Sequence, residues 1–165
     1  MMGIDDQKFM CTSGLIQWLA AGVMQGQRLQ AIYSTEFPNM ATMDGLSRRL
    51  LVARSHAEAD YLASAANHIL RYREWGEQLG IRQGVDFSEL DKFDARKIRD
   101  LRNMREHVID YFLERGNSQN RWFVETPEYK ADASSVVGTM IGGRLDYKAF
   151  TTACEIVLQE VLAVA

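Results

Sequence analysis

Apolar residues recur at helical spacing over most of this chain. Phe9, Leu15, Ile16, Leu19, Val23 and Met24 mark the apolar side of a first helix over residues 5–33. Gly14, Gly22 and Gly26 lower its intrinsic propensity, but such small residues also permit close helix approach. Pro38 lies in a stretch, Ser34 to Asp44, that reads as a loop. A second helix follows over residues 44–79, rich in alanine, with Leu46, Leu50, Leu62, Ile69 and Leu70 as apolar anchors. Gly80 and Gly84 bracket a short connection. Ser88 and Asp91 read as a capping box for a third helix that runs to about 115 and stops at Gly116.

Beyond that point the period changes. Arg121 to Glu125 reads as a short strand. Ser135 to Ile141, the pair Gly142-Gly143, and Arg144 to Tyr147 read as a β-hairpin with a glycine turn. Tyr147 to Ala163 form a last helix, with Phe150, Cys154, Val157, Leu158, Val161 and Leu162 on its apolar side. The expected fold is mainly α, an antiparallel bundle of about four main helices with a small β-hairpin before the last helix. No repeat, low-complexity tract or linker divides residues 1–165, so a single domain is expected.

Composition narrows the picture. The chain has 165 residues, 47% of them hydrophobic, and only two prolines, which suits one globular domain with a proper core. A net charge of −3 argues against a general nucleic-acid coat protein but leaves room for a local basic site. Cys11 and Cys154 form no disulfide framework and lack metal-ligand spacing, so a cytoplasmic, reducing setting is expected. The run Gly14 to Met24 is too short to span a bilayer, and no signal peptide or membrane anchor is read.

The candidate chemistry lies on the third helix. Its core stripe is Leu90, Ile98, Leu101, Met104, Val108 and Phe112, and its polar stripe is Arg99, Asn103, Glu106 and Asp110. Asn103 and His107 are i, i+4 neighbours, and Arg102 lies ~140° round the helix from His107. A histidine outside the core beside fixed positive charge suits phosphodiester chemistry. Arg96, Lys97, Arg99 and Arg105 form a basic cluster around Arg102. It reads equally as a guide for RNA backbone or as surface pairing with the interleaved Asp94, Asp100 and Glu106. Glu106 either pairs with Arg102 or sits at a dimer seam.

The string Arg102-Asn103-x3-His107, late in a helix of an all-helical core, resembles the HEPN superfamily. Those domains are small helical bundles with an Arg-x4-6-His signature, often with Asn, Asp or His after the arginine. Many are metal-independent ribonucleases, especially toxins and antiviral effectors, and others are inactive binding or dimerisation modules. One toxin subgroup places tyrosine two residues after the histidine. Here Ile109 stands at that position, and Tyr111 follows four residues after His107, on nearly the same face.

The resemblance implies catalytic roles for Arg102, Asn103 and His107, with Glu106 and Tyr111 as possible support. It also implies a homodimer that brings two histidines together, RNA as substrate, and an antitoxin or other protein as partner. The rival implication is a non-catalytic module of the same fold that binds RNA, nucleotide or protein. A plain helical dimerisation or adaptor protein, with the motif coincidental, is a third reading.

No cofactor fingerprint appears, and no metal is expected. His56 and His68 stand twelve residues apart on the second helix, ~18 Å along its axis, so they cannot share a metal ion. Whether either faces the cleft is open at this level. Trp18, Trp75 and Trp122 read as core or interface anchors, with base stacking as the minority use.

Overall fold

The computed structural model describes residues 3–81, 84–113, 115 and 121–164. Helix α1 (Ile4–Ala31) packs along both α2 (Gly45–Gln78) and α6 (Tyr147–Val164). The glycines of α1 make this close approach possible. A Cβ on Gly14 would fall 2.1 Å from the Tyr72 ring of α2, and one on Gly26 would fall 1.7 Å from Thr151 Oγ1 of α6. Their low propensity is therefore offset by packing no larger residue would allow. The facing side of α2 is correspondingly small, with Ala59, Ala63 and Ala66 buried beside Leu62 and Ile69.

The stretch expected as a loop after α1 is helical almost throughout. A π-helical turn, Ile32–Glu36, runs into a 3-10 turn, Phe37–Thr42, which Pro38 tolerates because it stands at the start. Asp44 then caps α2 by accepting the backbone N–H groups of Leu46 and Ser47, each at 2.9 Å. Leu46 and Leu50, expected as anchors, are instead 68% and 61% exposed, and Leu51, on another side of the helix, is the buried leucine of this end.

The expected third helix is three pieces. Ser88 does not cap a long helix: α3 (Ser88–Asp91) is a single turn whose first N–H goes to Asp86. The main helix α4 (Ala95–Glu106) starts afresh at Asp94, whose carboxylate accepts from Arg96 and Lys97. At His107 the backbone leaves helical geometry (φ −106°, ψ 27°), and the short α5 (Val108–Phe112) follows. This break rotates the apolar stripe. Leu90, Ile98 and Leu101 are buried as expected, but Phe112 is 70% exposed and Tyr111 takes the inward place against Trp122. The expected stop at Gly116 lies outside the described residues.

Two small antiparallel sheets precede α6. Strand β1 (Phe123–Glu125) pairs with β2 (Lys130–Asp132), a partner the sequence pattern did not reveal. The run 135–141 is not one strand. It turns at Gly138 (φ +60°), so β3 (Val136–Val137), β4 (Met140–Ile141) and β5 (Leu145–Asp146) form a three-stranded meander. The glycine turn holds: Gly142 and Gly143 both have positive φ, 55° and 64°, between the paired residues Ile141 and Leu145. Trp122, Ala133, Ile141 and Leu145 belong to the same buried cluster as Leu15, Leu62 and Phe150. Among the described residues no helix is long and apolar enough to cross a membrane.

Candidate functional site

Arg102 and Asn103 stand on the wall of a groove between α4 and α2. The groove has a volume of about 310 Å³ and is lined by Asn67, Leu70, Arg71 and Glu74 of α2 and by Ala95, Arg99, Arg102 and Asn103 of α4. Three arginines against one glutamate make its lining cationic on balance. The capping carboxylate of Asp94 fixes where α4 begins.

Arg102 is already engaged. Its Nη2 lies 2.6 Å from Glu106 Oε1, one turn on, and its Nη1 donates to Asn103 Oδ1 at 3.1 Å. Of the two positions open to Glu106, the structure has the pairing with Arg102. Because Asn103 Oδ1 accepts from Arg102, the amide NH2 is the end left to donate to a ligand. Asn103 also lines the groove.

His107 sits at the α4–α5 break, one turn beyond Asn103, and its backbone N–H donates to Asn103 O at 3.1 Å. Its side chain is 69% exposed, and its Nδ1 lies 3.5 Å from Asp110 Oδ2. That distance is too long for a good hydrogen bond, so the carboxylate meets the ring only as a neighbouring charge. Among the described residues no side-chain hydrogen bond joins His107 to Arg102 or Asn103. The three motif residues share one helix end, but only the first two share the groove.

The basic cluster divides. Arg99 lines the groove, and Arg96 lines an adjoining one with Arg73, Asp91 and Phe93. Lys97 is exposed on α4. Arg105 is withdrawn from any RNA-guiding role: its side chain is 5% exposed, pairs with Asp60, and donates to Ala133 O at 2.7 Å and His56 O at 3.2 Å. It ties α4 to α2 and to the segment after β2. Tyr111, expected as support for His107, has its ring stacked on Trp122 at 3.9 Å, so it serves packing.

Two α2 residues were missed in sequence, Asn67 and Arg71, and the sequence leaves the position of His68 open. Asn67 and Arg71 stand at i, i+4, a spacing that marks one helix face but cannot say what that face meets. His68 stacks on Trp18 with centroids 4.0 Å apart and planes 9° from parallel. Burial, then the charges of Arg71 and Arg102, hold its imidazole below the usual histidine range, against an opposing pull from Glu106. His68 is thus within electrostatic reach of Arg102, and the backbone carbonyl of His56 accepts from Arg105.

Among the described residues no cluster of three or more His, Cys, Asp or Glu side chains is placed to hold a metal ion. Compared with known proteins, the chain matches no family model, no curated protein and no solved structure.

Proposed function

We propose that this protein is a HEPN-like, metal-independent endoribonuclease that acts at a composite site formed by two copies of the chain. One observation carries the reading. Arg102 and Asn103 of the Arg-Asn-x3-His string line a groove with Arg71 and Arg99, while His107 stands exposed at the end of the same helix.

In this mechanism His107 accepts the ribose 2′-hydroxyl proton or protonates the leaving 5′-oxygen through Nε2, with Asp110 beside Nδ1. Arg102 offsets charge building on the phosphorane oxygens, and the Asn103 amide donates to the phosphate. In-line cleavage uses a distinct acid and base, and a two-fold axis near the exposed Arg99, Asn103, Glu106 and Asp110 supplies two histidines. A toxin or defence effector, held in check by a protein partner, is the biological setting this chemistry suits. The decisive experiment is cleavage of mixed RNA in chelator by the wild type and by His107→Ala. Cleavage lost in the variant supports the reading, and cleavage retained in it removes His107 from the mechanism.

A second reading is a non-catalytic RNA- or protein-binding module of the same fold. It is favoured by the Arg102–Glu106 ion pair, which already meets the charge of the key arginine.

A further inference from the structure

The arginine groove does not end at Arg71. On the other side of that residue, on the neighbouring face of α2 toward α1, lies a second groove of about 390 Å³ lined by His68, Arg71, Tyr72 and Trp75. Its character is different. Three of its four lining residues are flat rings, and Arg71 is the charge that both grooves share.

The rings are braced from behind. His68 is stacked on Trp18 of α1, and Tyr72 meets Trp75 at 5.9 Å with planes tilted by 59°. Tyr72 also presses against α1 where Gly14 leaves room for it. Trp75 and His68 are both half-buried, so each is held by the core and still offers surface. The pressure on His68 toward its neutral form keeps this face aromatic rather than adding a further cation.

A cationic groove that leads through one shared arginine into a braced aromatic groove matches the alternation of a nucleic-acid strand. Phosphates are held by arginines, and bases stack on rings. We propose that the His68–Arg71–Tyr72–Trp75 groove is a nucleobase subsite for single-stranded RNA, in which a base stacks on the α2 rings while Arg71 holds the adjoining phosphate. The proposal rests on the reading of the arginine groove as the RNA-backbone site. It adds what the strand does beyond that site, and it requires an unpaired base, because a duplex presents no free base face.

The test uses the full chain and two uncleavable probes about 12 nucleotides long, within the span such grooves cover. One is 2′-O-methyl oligoadenylate, and the other is the abasic 2′-O-methylribose-phosphate strand of equal length. The wild type is expected to bind the base-bearing strand about tenfold more tightly than the abasic one, the scale of a single stacked base. Trp75→Ala should abolish that preference and leave affinity for the abasic strand unchanged, which also shows that the variant folds. Trp75→Phe should restore most of the preference. Should Trp75→Ala not fold, His68→Ala is read in the same way.

Equal wild-type binding of both strands overturns the subsite, as does a preference that survives loss of the ring, or binding of neither strand. Adenosine monophosphate competing as tightly as the oligomer would overturn the strand in favour of a free nucleotide. The two proposals fail separately. Base preference without cleavage of natural RNA removes the nuclease and keeps the subsite, whereas His107-dependent cleavage without base preference does the reverse.

Discussion

The guanidinium of Arg102 and the carboxylate of Glu106 lie 2.6 Å apart, one turn from each other on α4, at the edge of the arginine groove. An ion pair this exposed contributes little to stability, but it sets how much positive charge the groove presents. Glu106→Gln should therefore tighten binding of uncleavable RNA by about 2–5-fold at low salt, the scale of one exposed pair, and steepen its salt dependence. Filter binding over a salt series measures both. Unchanged or weaker binding would remove Arg102 from the RNA surface.

Cleavage, if His107 and Arg102 carry it, should persist in chelator and leave a 2′,3′-cyclic phosphate, since an internal hydroxyl and not a metal-bound water attacks. His107→Ala and Arg102→Ala should each lower the rate by about 10²-fold or more. Neither substitution should change the circular dichroism spectrum, because neither side chain belongs to the buried core. End-group analysis of the products, run beside the rate assay, checks the chemistry independently.

Arg105 should behave in the opposite way. Its loss takes a charged donor from the Ala133 carbonyl, an additional donor from the His56 carbonyl, and the ion-pair partner from Asp60. We expect Arg105→Ala to cost about 2–3 kcal/mol in urea unfolding, the range for breaking a buried charged hydrogen-bond set. Arg99→Ala, at an exposed position four residues from Asn103, should cost under about 0.5 kcal/mol. A reversed order would mean that Arg105 is not a tie between α4 and α2.

The glycines of α1 offer a paired test of packing. Gly26→Ala places a methyl where Thr151 already stands, whereas Gly45→Ala at the start of α2 meets nothing within 4 Å. Overpacking of this kind costs about 1–3 kcal/mol, which lowers Tm by about 3–10 °C in a chain of this size. Calorimetry should show that loss for Gly26→Ala and none for Gly45→Ala.

Both cysteines are buried, and burial raises both thiols, Cys11 to about 11 and Cys154 further. Each stays protonated in the folded chain at a pH where the unfolded chain has begun to ionise. Between the ordinary thiol value of 9.0 and the folded value, the unfolded state binds fewer protons, so stability falls as pH rises. The contribution is fully present below pH 9.0, and that of Cys11 is lost by about pH 11. Denaturant midpoints measured across this window should fall, and less steeply in Cys11→Ala. Native protein at pH 8 should resist alkylation that goes to completion in denaturant.

The local and periodic features of the fold were legible in the sequence. α1, α2 and α6 announce themselves by apolar spacing, and the turn at Gly142-Gly143 by its residues, since two consecutive positive φ angles favour glycine. The Arg-Asn-x3-His string was legible too, because it is a matter of order along the chain. What the tertiary structure decided is which neighbours those residues have. No periodicity marks the break at His107 that turns Phe112 outward and Tyr111 onto Trp122. Nor does charge pattern separate Arg99, which lines the groove, from Arg105, which is consumed in holding α2. Asn67 and Arg71 join the site only because α2 packs against α4 there. The sequence determines a side chain's chemistry and its phase on a helix. Whether that phase faces water, a core or another helix is set by long-range packing, to which local sequence is blind.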